Sequence, residues 1–195
     1  SLTGKEIGWS RQSPEYGNAR GFRCALRPRE NTTPTDVYDS LYKQWQPDQF
    51  DARHWVRVAK DAGCRYLIFL VKHHDGFCMF DSAYTDYDIM AAPYGKDITK
   101  QLEEGARANG IDFGFYYSPR DWGHPDCDSD ENHPRYIQYY KNQMQELLSN
   151  YGPINSIFFD GLGPGDWGDT AAEVMGMIRT SHPDAMVNDR GGAGA

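Results

Sequence analysis

Tyr66-Leu-Ile-Phe-Leu-Val71 runs without a break into Lys72-His-His-Asp-Gly76. The apolar run is too short for a helix of ordinary length and is bounded by Gly63 on one side and a polar cluster on the other. It reads as a strand that is apolar on both faces, as a strand lying under helices must be. What precedes it is a helix, about 51–62. Ala52, Trp55, Val56, Ala59 and Ala62 recur at helical spacing. Asp51 can cap the orphan N–H groups and Gly63 can supply the left-handed stop.

The same unit recurs along the chain. A helix is expected over about 97–109, with Asp97 as cap, Ile98, Leu102 and Ala106 inward and Gly110 as stop; a strand follows at 111–117. A third helix spans about 134–149, opened by Pro134, with Ile137, Tyr140, Met144, Leu147 and Leu148 inward; its strand is 154–159. A fourth helix covers about 169–181, with Ala171, Val174, Met175 and Ile178 inward, and a strand at about 185–188. Helix alternating with buried strand means α/β with a parallel sheet. Either the sheet is open and doubly wound, or it is a partial (β/α)8 TIM barrel, since closing eight strands takes about 250 residues.

The strand ends separate these. The first strand runs into Lys72-His73-His74-Asp75, the second into Tyr116-Tyr117-Ser118 with Arg120 and Asp121, the third into Asp160-Gly161, and the fourth into Asn188-Asp189-Arg190. All four strands thus deliver polar groups at their carboxyl ends, which lie on one rim of a parallel sheet. Open sheets use the strands at the switch point; a barrel uses all of them. The barrel is the expected architecture.

Asp160 follows Ser156-Ile-Phe-Phe159, so the strand would carry a carboxylate from a dry core to a cleft. It either opens a turn with Gly161 or serves as nucleophile or base. His73 and His74 are adjacent and on a strand would point to opposite faces. His124-Pro-Asp126 could add metal ligands, which keeps a metal-dependent hydrolase as an alternative, beside a non-catalytic carbohydrate-binding relative. Of the four cysteines none forms a CxxC pair, so a structural zinc site is not expected; Cys64 and Cys78 read as buried thiols.

Composition narrows the partners. A net charge of −8 repels a phosphate backbone, so nucleic acid is not an expected partner. No apolar run reaches the eighteen or so residues that span a bilayer, so no membrane span is expected. Thirteen Tyr and five Trp are enough to line a sugar site as well as fill a core.

These motifs resemble the α-L-fucosidases of glycoside hydrolase family 29. The matching stretches are Phe50-Asp-Ala52 through Trp55, Lys72-His-His-Asp-Gly-Phe-Cys78, Asp81 with Tyr84-Thr-Asp-Tyr87, Tyr116-Tyr117-Ser118, Asp121-Trp122, His124-Pro-Asp126, Asn150-Tyr-Gly152, Phe159-Asp-Gly161 and Asn188-Asp-Arg190. They cover about residues 36–190, and Gly4-Lys-Glu-Ile-Gly-Trp-Ser-Arg11 also looks like a family segment. The resemblance implies retaining hydrolysis of α-L-fucosides of glycans, with Asp160 as nucleophile. It implies fucose contacts from His73 and His74, a pocket wall from one of Tyr116 and Tyr117, and Arg190 near the anomeric centre. Glu6 and Trp9 would correspond to a sugar-binding Glu-Trp pair. No metal or organic cofactor is implied, the substrate is a fucosylated glycan, assembly into oligomers is left open, and an extracellular, periplasmic or lysosomal setting is favoured. The chain reads as a single partial barrel domain, irregular over 1–50 with an insertion at 12–34 and cut at both ends. The acid/base glutamate is expected beyond Ala195, so these residues alone are expected to be inactive.

Overall fold

A computed structural model describes Arg11, residues 33–161, Trp167 and residues 169–192. Among them four parallel strands form one sheet in chain order, β1 (Tyr66–Lys72), β2 (Asp112–Tyr117), β3 (Ser156–Phe159) and β4 (Met186–Val187). A single helical turn, α1 (Thr35–Tyr38), precedes the regular part. Helices α2 (Ala52–Asp61), α3 (Ile98–Ala108), α4 (His133–Asn150) and α5 (Thr170–Ser181) each lead into the next strand, as the sequence pattern requires. The four described strands do not close into a barrel.

The caps act as expected. Asp51 accepts from the Arg53 and His54 backbone N–H groups at 2.9 and 3.1 Å, and Asp97 accepts from Lys100 at 2.8 Å. These bonds satisfy donors that a first helical turn leaves unpaired.

The register sorts the strand side chains into two faces. Phe69 pairs with Phe115 and Phe115 with Ile157, so one face presents Leu67, Phe69, Phe113, Phe115, Tyr117, Ile157 and Phe159. That face packs with Val56, Leu102, Ala106, Met144, Leu147, Val174 and Ile178 of the helices in one apolar core. The opposite face carries Tyr66, Ile68, Leu70, Phe158 and Met186, all exposed. The expectation that β1 is covered on both sides therefore fails: helices cover one face, and no described element covers the other. Trp55, expected to face inward, is 53% exposed and meets Phe50 edge-on instead. Cys64 is also exposed, while Cys78 is buried as expected. Cys127 is in a disulfide.

Near its end β1 changes phase. Leu70 pairs with Tyr116, and Lys72, two residues on, with Tyr117 only one residue on. This bulge at Val71 turns Lys72 to the buried side, where its Nζ lies 4.8 Å from the centre of the Tyr117 ring. Bulges re-aim the residues that follow them, and here those are His73 and His74.

Candidate active site

Each strand contributes at its carboxyl end, and the centre of the group is Asp160. It follows Phe159 directly, and its backbone N–H still donates to Tyr117 O at 3.2 Å, continuing the ladder. Asn188, just after β4, locks this end of β3. Its amide accepts from Phe159 N and donates to Phe159 O, both at 2.9 Å. The chain then turns through Asp189–Gly191, which brings Arg190 back over Asp160.

Both carboxylate oxygens of Asp160 are engaged. The Tyr116 hydroxyl donates to Oδ2 at 2.8 Å and Arg190 Nη1 donates to Oδ1 at 2.7 Å. Burial alone would raise the pKa of this group. The bonds from Tyr116 and Arg190 outweigh it and hold the carboxyl below its ordinary value, so Asp160 is an anion at neutral pH. Arg190 is 58% exposed and Asp160 28%, so the pair is reachable from solvent. An anion steadied by two donors yet reachable from solvent can act as a nucleophile or as an electrostatic stabiliser.

Tyr116 stands on the open face of the sheet because it shares the register parity of Gly114 and Phe158. Its ring stacks on Phe158 at 5.7 Å and on His73 at 5.8 Å between centroids. Tyr117 has the opposite parity. It is fully buried against the helices, and its hydroxyl donates to Gln143 Oε1 at 2.7 Å. Of the two tyrosines, one of which was expected to line the pocket, the geometry therefore brings Tyr116 to Asp160.

His73 and His74 do not diverge to opposite faces. β1 ends at Lys72, and beyond it the two rings lie side by side, centroids 4.2 Å apart. His74 is buried, and its backbone carbonyl accepts from Trp122 N at 2.7 Å. Burial, then the nearby charges of His73 and Arg120, push its pKa down to about 3, so the imidazole is neutral. Gly161 makes the close approach of His74 to β3 feasible. Its φ is +84°, and a Cβ there would lie 2.4 Å from His74 Cε1. Glu6 and Trp9 lie outside the described residues.

Beneath the histidines sits an ion pair that the sequence reading did not single out. Lys72 Nζ lies 3.2 Å from Asp121 Oδ2, both side chains being buried, and donates to Ser118 O at 3.1 Å. Asp121 Oδ1 also accepts from Gly123 N and His124 N, at 2.9 and 3.0 Å. One buried pair thus ties the end of β1 to the loop after β2. His124 Nδ1 accepts from Asp126 N at 3.2 Å, which uses the histidine within its own turn. Among the described residues no three His, Cys, Asp or Glu side chains gather as a metal site. No described helix is long and apolar enough to cross a membrane.

A parallel sheet that gathers an ionised aspartate, its arginine, a tyrosine and two histidines at its carboxyl rim has the layout of a (β/α)8-barrel enzyme. The chain belongs to the alpha-L-fucosidase family: the family profile of that description matches residues 9–195. Alpha-L-fucosidase 1 of Arabidopsis thaliana is 38% identical over 120 residues, covering 60% of this chain and 23% of the relative. The human plasma alpha-L-fucosidase is 28% identical over 178 residues, covering 86% of this chain and 38% of the relative. The chain therefore spans well under half the length of these relatives. A glycoside hydrolase family 29 alpha-L-fucosidase from Bacteroides thetaiotaomicron, solved as a trapped covalent intermediate with 2-fluoro-fucosyl fluoride, superposes with a TM-score of 0.76. It is 33% identical, and the match covers 82% of this chain and 39% of that one. The family's catalytic domains are TIM barrels, and the four parallel strands match part of one.

Proposed function

We propose that the protein to which this chain belongs hydrolyses α-L-fucosides with retention of configuration, and that Asp160 is its nucleophile. The observation that carries this reading is the Asp160 carboxylate, held ionised by Tyr116 and Arg190 and reachable from solvent at the carboxyl rim of the sheet. In the first step Asp160 attacks the anomeric carbon. The bond from that carbon to the leaving oxygen breaks as the bond to the carboxylate forms, and a second carboxylic acid protonates the leaving oxygen. Water then attacks the same carbon, gives its proton back to the second carboxylate and releases Asp160. Retention requires the two carboxyls to stand roughly 5 Å apart. A carboxylate that is a weak base leaves readily in the second step, so the bonds that depress Asp160 assist its release.

His73 and His74, neighbours at the rim, are placed to bind sugar hydroxyls, and the Tyr116 ring offers a flat wall to the C–H face of the sugar. The test uses the complete protein. Incubation with 2-fluoro-fucosyl fluoride should leave a fluorofucosyl adduct on the peptide that contains Asp160. Asp160→Gly should abolish nearly all hydrolysis while sparing sugar binding, and added azide should restore part of the turnover by filling the vacated position. An adduct on a different peptide, or near-normal hydrolysis by the unaided variant, would refute the assignment.

A further inference from the structure

Beside the loop after β2 lies a cavity of about 220 Å³. Its walls are Tyr139 of α4, Asp121 and His124 of that loop, Thr85 and Tyr87 of the segment between β1 and α3, and Asp39 after α1. None of Asp160, Arg190, Tyr116, His73 and His74 lines it. The two places meet at Trp122, whose ring packs against His74 at 5.2 Å between centroids, while Asp121, the residue before it, lines the cavity. Pockets for drug-sized ligands enclose roughly 300–1,000 Å³, so this one suits a single small ring.

Charge decides the ligand class. Two carboxylates line the cavity and no described Lys or Arg does, so an anion is disfavoured. Neither carboxylate calls for a cation from outside. Asp39 is held by Arg11 Nε and Nη2, both at 2.7 Å, and Asp121 by Lys72 Nζ at 3.2 Å. The ligand that fits is neutral.

Hydrogen-bonding groups remain unspent. The Tyr87 hydroxyl has no hydrogen-bond partner among the described residues, although its ring is fixed edge-on to Tyr42 and Phe77, at 5.3 and 5.1 Å between centroids. Burial, then the Asp75 and Asp39 carboxylates, keep its proton in place. Enclosed tyrosine hydroxyls usually find a partner, so an unpaired one on a cavity wall marks a place for a ligand oxygen. His124 supplies a second donor. Its Nδ1 accepts from Asp126 N at 3.2 Å, and a backbone N–H can only donate. Burial lowers the pKa of this ring, so it is neutral and its one hydrogen is on Nε2, which has no partner among the described residues. Asp39 keeps acceptor capacity, because a carboxylate has about four lone-pair sites and Arg11 takes two. The Tyr139 ring, its centroid 4.6 Å from that of His124, adds a flat wall for C–H groups.

We propose that this cavity is a binding site for one neutral sugar ring, separate from the Asp160 rim. Tyr87 and His124 donate to ring hydroxyls, Asp39 accepts from them, and Tyr139 backs the apolar face. The site does not depend on Asp160 being a nucleophile.

The test is NMR titration of the complete protein, carbon-13 labelled on tyrosine, with methyl β-D-galactoside, methyl β-D-glucoside and methyl N-acetyl-β-D-glucosaminide. At least one should shift the Tyr87 and Tyr139 signals saturably and leave Tyr116 unmoved. Methyl β-D-glucuronide, the charged counterpart, should bind at least about tenfold more weakly. Tyr87→Phe removes a hydroxyl that bonds nothing in the protein, so its unfolding midpoint should be unchanged. Its dissociation constant, followed at Tyr139, should rise about tenfold, the equivalent of one hydrogen bond of about 1.4 kcal/mol. Thr85→Trp should fill the cavity and abolish binding. Should that variant not fold, the result with Tyr87→Phe decides. The proposal is overturned if no neutral glycoside moves Tyr87 and Tyr139, if the shifts fall on Tyr116 instead, if the glucuronide binds equally well, or if Tyr87→Phe binds with unchanged affinity.

Discussion

Replacing Gly161 with alanine should damage the site more than it damages the fold, and a matched control separates the two effects. Gly161 and Gly63 have nearly the same backbone angle, φ +84° and +85°. An alanine at either position carries the cost of the left-handed region, about 1–2 kcal/mol. At Gly63 nothing stands within 4 Å of the added Cβ, so the cost ends there. At Gly161 the Cβ would meet His74 Cε1 at 2.4 Å, Nδ1 at 2.8 Å and Nε2 at 3.2 Å. Carbon atoms prefer separations of about 3.5–4.0 Å, so the ring would have to retreat by about 1 Å. It has little room to do so. Ser118 holds Nδ1 at 2.6 Å, and the Trp122 ring lies edge-on with its centroid 5.2 Å away. Forcing atoms into such packing costs about 1–3 kcal/mol. Gly161→Ala should therefore lose about 2–5 kcal/mol in urea unfolding and Gly63→Ala about 1–2 kcal/mol. Hydrolysis of an aryl fucoside should fall at least about tenfold in kcat/KM for Gly161→Ala, because each 1.4 kcal/mol of lost transition-state stabilisation is a factor of ten. Gly63→Ala should turn over normally. Equal stability losses together with normal turnover in both variants would show that His74 yields freely, and that its packing against β3 has no functional weight.

Further outcomes follow from the same geometry. Tyr116→Phe removes the donor to Asp160 Oδ2, so the carboxyl should titrate at higher pH and the acidic limb of kcat/KM should shift upward. Tyr117→Phe should leave that limb in place and instead cost about 1–3 kcal/mol of stability, since Gln143 Oε1 loses its buried partner. The linkage has a definite sign: the folded Asp160 value lies below the unfolded one, so its stabilisation is present above the ordinary carboxylate range and fades as pH falls through the folded value. Tyr116→Phe should make this acid-side loss of stability shallower, as two-probe pH titrations of unfolding would show. Lys72→Met strands Asp121 as an unpaired buried charge and should cost about 3–5 kcal/mol in chemical denaturation, with Lys72→Met/Asp121→Asn recovering part of it. A double variant no more stable than the single would disprove the pairing argument.

The order of elements could be read from the sequence because caps and periodicity are local properties. Asp51 and Asp97 cap the helices they were expected to cap, and Leu102, Ala106, Met144 and Leu147 point into the core. Covering of the sheet is not local. An apolar residue on β1 has the same identity whether a helix, another strand or nothing lies over it, so Ile68 and Leu70 gave no sign of their exposure. Trp55 misled for a related reason: α2 is narrowly amphipathic, and its fully buried residues are Ala52 and Val56, which lie close to Gly105 of α3, whose Cβ would stand 3.3 Å from Val56.

The rim residues were legible as a set, while their directions depended on parity along each strand. A signal for that parity was present. In β2, Asp112 and Gly114 alternate with Phe113 and Phe115, so the even positions hold what a helix-packed face would reject. Tyr116 belongs with them, and Tyr117 with the phenylalanines. In β3, Ser156 and Asp160 share the even positions with Phe158, and the register places Tyr116 directly beside Phe158. Parity within each strand, joined by that register, thus puts Tyr116 and Asp160 on one face. The same rule fails on β1, because the bulge at Val71 inverts the phase and the strand stops before His73. A bulge depends on pairing with a neighbouring strand, here on Lys72 being drawn under the sheet by Asp121, forty-nine residues away in sequence. The two histidines follow directly on a lysine anchored by that buried charge pair, so the feature of the site that was hardest to read sits next to a polar contact between residues far apart in sequence.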